Sequence, residues 1–196
     1  MKPQNKERIH LCSDKVIFQK FISIREMDFY LAEQDTNIKR YVVSRPEAAA
    51  IVLYHKENNE LILIRQFRAP LFDQSADAFI CEIPAGVLEK GENASDTIIR
   101  ETLEETGYQI THPLLIKTIY PSPGILDEKI HLFYAEVTDA QKVSKGGGID
   151  AEKEFLEVLH FPPEKIKDMI FNDQISDAKS IIGIMLAKEK GYFSFY

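Results

Sequence analysis

The spacing of hydrophobic and polar positions changes character along the chain. From Val16 to Tyr30, VIFQKFISIREMDFY is rich in Ile, Val, Phe and Tyr and partly alternates, which suits half-buried strands. Asn37–Val43, NIKRYVV, pairs with it across the polar turn AEQDTN. Ala48–Tyr54 and Leu61–Gln66 are apolar runs flanking HKENNE, a polar turn that contains Asn58 and Asn59, and together they read as a hairpin. Ala78–Ile83 is strand-like until Pro84 interrupts hydrogen bonding and Ala85-Gly86 lets the backbone turn closely. Leu114–Tyr120, Lys129–Val137 and Leu156–Phe161 read as further strands. Pro163–Phe171 and Asp177–Lys188 read as helices, the second with Ile181, Ile184, Met185 and Leu186 as its apolar face. The sum is an α/β chain, with a β-strand region over residues 1–45 and a main domain over 46–196. So small an antiparallel sheet has little core of its own, so it is expected to pack on the rest of the chain or on another subunit.

Composition narrows the function classes. The 196 residues are 44% hydrophobic and 28% charged, enough for one sizeable core. A net charge of -7 argues against general nucleic-acid binding, which relies on Lys and Arg neutralising the phosphate backbone. The longest apolar runs, such as AAAIVLY, are too short to span a membrane, and no basic segment followed by an apolar one opens the chain. Cys12 and Cys81 are far apart and read as free thiols, so a soluble cytoplasmic protein is expected.

The chemistry concentrates between Gly86 and Tyr108, GVLEKGENASDTIIRETLEETGY. Asn93 or Ser95 can cap a helix, Asp96 suits its positive end, and Gly107 suits the residue just past its last turn. Glu101, Glu104 and Glu105 then share one face. Like charges at that spacing cost about 0.2–0.5 kcal/mol per pair. Arg100 offsets part of this, and a hard divalent cation offsets it better, since magnesium takes carboxylate oxygens together with substrate phosphates. The plainer alternative is a solvated acidic face. The adjoining Pro84 and Gly86 favour a site, with the Ala85 carbonyl within reach of a cation.

Elsewhere, Arg65 and Arg68 in IRQFRAP either face a pocket or solvate a strand edge. Gly146–Gly148 lead into Asp150, Glu152 and Glu154, either a mobile loop that brings a carboxylate to a site or a solvated acidic loop. His10, His55, His112, His131 and His160 show no metal-ligand spacing and read as surface or core residues.

Gly86, Glu92, Arg100, Glu101, Glu104, Glu105 and Gly107 match the Nudix box, G-x5-E-x7-R-E-U-x-E-E-x-G-U with U apolar. Tyr108 suits the last position. Thr102 departs from the aliphatic U, a change its Val-like volume allows. LIRQFR, EIPAG, SPG and the glycine-rich acidic loop extend the likeness. The chain resembles the ADP-ribose and nucleotide-sugar pyrophosphatase branch of the Nudix hydrolases.

That resemblance implies an α/β/α sandwich with a mixed sheet, plus a small N-terminal antiparallel sheet that builds a homodimer and completes the partner's site. It implies Mg2+, or Mn2+, held by Glu101, Glu105 and the Ala85 carbonyl, with Glu104 a further ligand. Glu92 would orient the other carboxylates, and Arg100 would hold them by salt bridging. Glu152 or Glu154 would be the general base. Arg45 and Arg68 would contact substrate, and Glu82 would approach substrate or metal.

The implied reaction splits a nucleoside diphosphate sugar into a nucleoside monophosphate and a sugar phosphate. ADP-ribose is the first candidate. GDP-mannose is second, because GGGIDAEKEFLEV looks closer to the GDP-mannose-cleaving members. A non-catalytic module that senses a nucleotide sugar is the other class, disfavoured because the box carboxylates are all present.

Overall fold

The computed structural model describes residues 8–73, 78–148 and 156–195. The chain divides into two compact units, one of Met1–Pro46 with Tyr120–Lys129, the other of Glu47–Ile119 with Ile130–Tyr196.

In the first unit β1 (Ile9–Gln19), β2 (Ser23–Leu31) and β3 (Thr36–Ser44) form an antiparallel sheet in that order. The expected pairing of Asn37–Val43 with the strand before it is present, with Tyr30 opposite Asn37 and Ile24 opposite Val43. The Val16–Tyr30 run, however, is broken by a turn at 20–22, and its first strand begins at Ile9. Nor is β1 half-buried: every residue in it is exposed, and no described residue of the sheet is buried in the single chain. Three strands without a covering layer have nothing to bury against. The 120–129 segment adds to this unit through the Val43 N–H, which donates to the Ile125 carbonyl at 2.8 Å, and the Ser44 hydroxyl, which donates to Asp127 at 2.5 Å.

The second unit contains β4 (Ala48–His55), β5 (Glu60–Phe67), β6 (Phe79–Glu82), β7 (Ala85–Val87), α1 (Ala94–Thr106), β8 (Leu114–Ile119), β9 (Ile130–Val137), β10 (Leu156–Phe161), α2 (Pro163–Phe171) and α3 (Ala178–Glu189). Its seven-stranded sheet runs β10-β5-β4-β9-β8, with β6 on β5 and β7 on β4. The β4–β9 pair is parallel and the others antiparallel, so the sheet is mixed.

Burial on both faces explains why β4 reads as an unbroken apolar run. Ala48, Ala50 and Val52 join a core with Ile166 and Met169 of α2 and Ile184 and Ala187 of α3. Ala49, Ile51 and Leu53 join the opposite core with Ile98 of α1. One helix therefore covers one face and two the other, the expected α/β/α sandwich.

Two local readings change. Ala85-Gly86 is not a free turn: it is strand β7, with Gly86 opposite Ala49. The buried side of α3 is Ser180, Gly183, Ile184 and Ala187, while Met185 is exposed. Small residues set that face, because a Cβ on Gly183 would lie 3.2 Å from a Val52 methyl. The helix sits too close to the sheet for a large side chain there.

Candidate active site

The box helix is fixed at both ends by its own sequence. Asn93 is the cap, its side-chain oxygen accepting from the Ser95 and Asp96 N–H groups at 3.0 Å each. Gly107 follows the last turn at φ 74°, a left-handed conformation that suits glycine. Thr102 is fully buried and donates its hydroxyl to the Ile98 carbonyl within the helix, so this departure from the box pattern brings its own partner for the polar atom.

The carboxylates converge on the edge formed by β7. A Cβ on Gly86 would fall 1.9 Å from Glu101 Oε1, so the absent side chain is the space in which the Glu101 carboxylate sits. Glu105, only 3% exposed, accepts the Ala85 N–H on Oε2 at 3.0 Å.

Arg100 ties the rest together. Its Nη1 donates to Glu101 Oε1 and Glu104 Oε2, each at 2.9 Å, and its Nε and Nη2 donate to the two Glu92 oxygens at 3.2 Å. Glu92 thus acts by orienting Arg100, and it also accepts from the Thr97 hydroxyl at 2.9 Å and the Glu89 N–H at 3.1 Å. The Arg100 bond, followed by the Glu89 N–H, holds the Glu92 carboxyl down at about 2. The Glu92 bond in turn pushes the Arg100 guanidinium up.

The glycine loop meets this helix end-on. Gly147 and Gly148 donate their N–H groups to the Glu105 and Glu104 carbonyls at 2.8 and 3.1 Å, so these glycines cap α1. Glu152 and Glu154, the candidate bases, lie outside the described residues.

The remaining sequence candidates fall in three places. Glu82, at the end of β6, is 1% exposed and receives Arg68 Nε at 2.8 Å. Lys179 also bonds Glu82 and lies 3.1 Å from Asp177. Sequence reasoning missed Lys179, because Glu82 is 97 residues away and no local pattern links them. Arg65 stacks over the Phe79 ring at 5.0 Å, and with Leu156 and Glu157 the two line an open recess of about 300 Å³. Arg45 belongs to the first unit, where its Nε lies 3.1 Å from Glu128.

His55, Glu57 and Asp139 form a further group whose ligand atoms lie within 4.8 Å of one another. His55 is fully buried, its Nδ1 accepts the Asn58 N–H at 3.3 Å, and its Nε2 faces Asp139 at 3.1 Å. With Nδ1 taken by the Asn58 N–H, the neutral tautomer that fits this contact carries its proton on Nε2, toward Asp139. His55 also lies about 20 Å along β4 from Ala49, the residue opposite Gly86, at roughly 3.3 Å per strand residue.

The donor set around Gly86 suits a hard divalent cation. It consists of carboxylate oxygens, three of whose groups share one guanidinium, with Glu101 seated in the space that Gly86 leaves open.

Comparison with known proteins follows the same line. Residues 44–181 match the NUDIX domain model. GDP-mannose pyrophosphatase from Klebsiella pneumoniae is 32% identical over 190 residues, covering 95% of this chain and 94% of that protein. The enzyme of that name from Cronobacter sakazakii is 34% identical over 178 residues, covering 89% and 92%. Among solved structures, the crystal structure of an ADP compounds hydrolase superposes with a TM-score of 0.77 over 94% of this chain and 96% of the other, at 18% identity, a likeness of fold. With the box residues gathered on β7, on α1 and at the ends of that helix, and the domain match spanning most of the chain, this protein belongs to the Nudix family of hydrolases.

Proposed function

We propose that the protein hydrolyses the pyrophosphate bond of a nucleoside diphosphate sugar, with GDP-mannose the leading substrate. Water adds across the P–O–P bridge, giving a nucleoside monophosphate and a sugar phosphate. The observation that carries this is the carboxylate cluster of α1: Glu101 against Gly86, Glu105 on the Ala85 N–H, and Glu104 tied to Glu101 through Arg100. Similarity to the GDP-mannose pyrophosphatases favours that sugar over ADP-ribose, reversing the order suggested by the sequence alone.

In this reading Glu101, Glu105 and the Ala85 carbonyl hold Mg2+, or Mn2+, with Glu104 a further ligand. When bound, the ion neutralises phosphate charge and lowers the pKa of water. Arg100 keeps the carboxylates in register, and Glu92 keeps Arg100 in place. Arg68 brings positive charge to the substrate oxygens, and Arg45 is assigned to substrate by the resemblance alone. Glu82 holds Arg68 in position, which supports its assignment to the substrate side. Glu152 or Glu154 accepts the proton from the attacking water. The first unit serves as the homodimer contact, consistent with its exposed apolar residues Leu11, Val16, Phe18 and Phe21. Among the described residues no helix is long and apolar enough to cross a membrane.

A parallel turnover assay of GDP-mannose, ADP-ribose and other nucleotide sugars, with and without Mg2+, tests the reading. The expected result is Mg2+-dependent release of GMP and mannose 1-phosphate, faster than any other cleavage. Tight binding of a nucleotide sugar without turnover would assign a sensing role instead.

A further inference from the structure

Between β6 and β7 the chain crosses from Glu82 to Ala85, and its backbone is held from three directions. The Ile83 N–H donates to the Ser180 hydroxyl oxygen at 2.9 Å, the Ile51 N–H donates to the Pro84 carbonyl at 3.0 Å, and the Ala85 N–H donates to Glu105 Oε2 at 3.0 Å. The first of these comes from α3, a helix that contributes nothing to the box. Ser180 is fully buried near the start of that helix. Its hydroxyl donates to Asp177 Oδ2 at 2.5 Å, and the same carboxylate oxygen takes the Ser180 N–H at 2.9 Å. With its one proton committed to Asp177, the hydroxyl presents only lone pairs to Ile83. Asp177 also lies 3.1 Å from Lys179, which bonds Glu82. The start of α3 therefore grips two successive residues, Glu82 by its side chain and Ile83 by its backbone.

We propose that Ser180 is a positioning residue for the metal-holding segment. By fixing Ile83, two residues before Ala85, it sets where the Ala85 carbonyl stands and keeps the Ala85 N–H on Glu105. This rests on the reading that Ala85 and Glu105 hold the cation. Partners that orient ligating groups in this way are worth about 10–100-fold in metal affinity.

The test is Mn2+ binding, followed by electron paramagnetic resonance, to the full-length protein and its variants Ser180→Ala, Ser180→Cys, Ile184→Val and Glu105→Gln. The cysteine variant keeps nearly the volume of serine but offers a poor acceptor, so it decides the matter if the alanine variant does not fold. Ile184, fully buried on α3 itself one turn beyond Ser180, controls for loss of stability alone. The proposal expects Ser180→Ala and Ser180→Cys to bind Mn2+ on the order of tenfold more weakly and Ile184→Val to bind it normally. The metal concentration for half-maximal hydrolysis should rise in step, with kcat at saturating metal little changed. Folded Ser180 variants with normal Mn2+ affinity, beside a Glu105→Gln variant that has lost it, would overturn the role of Ser180. Normal Mn2+ affinity in Glu105→Gln would instead overturn the reading on which that role rests.

Discussion

Glu92 shows how much one charge can organise: it takes bonds from Arg100, the Thr97 hydroxyl and the Glu89 N–H. Its carboxyl, held at about 2 by Arg100 against an ordinary 4.5, is a depressed group. Its contribution to stability is therefore fully present above about pH 4.5 and is lost as the pH falls through about 2. Glu92→Gln should lower the melting temperature at neutral pH, and the gap from wild type should close between those two values in metal-free buffer. A gap that does not change with pH would contradict the assignment. The box residues were legible in the sequence because they fall within one continuous stretch, from β7 through the turn that holds Glu92 to the end of α1, where the spacing of the pattern is kept along the chain. Ser180 and Lys179 were not: their partners, Ile83 and Glu82, are each 97 residues away, and a serine or lysine near a helix start carries no mark of a distant bond. Thr102 read as a tolerated substitution, and its hydroxyl bond to Ile98 gives the reason.

The box helix depends as much on how it ends as on what it carries. At Gly107, φ is 74° and an added Cβ would meet the Ser144 carbonyl oxygen at 2.2 Å. Val143 donates its N–H to the Gly107 carbonyl at 2.9 Å, and Lys142 Nζ reaches the Thr106 carbonyl at 2.6 Å, so the segment after β9 is built onto this terminus. Gly107→Ala introduces both backbone strain and a clash with main chain, and should cost more than about 1 kcal/mol, read by chemical denaturation. An unchanged midpoint would show that the terminus relaxes freely. Elements with a strong local period, the β4–β5 hairpin and α1, were readable to within a residue or two. β7 was not, because Ala85-Gly86-Val87 carries no strand signal and pairs only where β4 presents its edge. On α3 the apolar residues misled: approach to the sheet is set by Gly183 and Ala187, which leaves Met185 outside.

At the scale of the whole molecule, the second unit has two buried cores while the sheet of the first has none in the single chain. The first unit exposes Val16 and Phe18 on β1 and Phe21 in the turn after it, and these apolar side chains are what the proposed contact with a second copy would cover. The proposed dimer predicts that Phe18→Glu with Phe21→Glu sediments as a monomer and loses activity, while wild type sediments as a dimer. A fully active monomer would reject a shared site. The α/β class was readable from the order of elements and the α/β/α sandwich came from the resemblance to the Nudix hydrolases, whereas the grouping of 120–129 with the first unit, held through Val43, carries no local mark because it spans a long sequence gap. The most direct measurement for the account is hydrolysis of GDP-mannose by wild type and Glu105→Gln at saturating Mg2+. Turnover should fall about a hundredfold or more, with the far-ultraviolet spectrum unchanged. Near-normal turnover by the glutamine variant would contradict the assignment of Glu105, and with it the metal site.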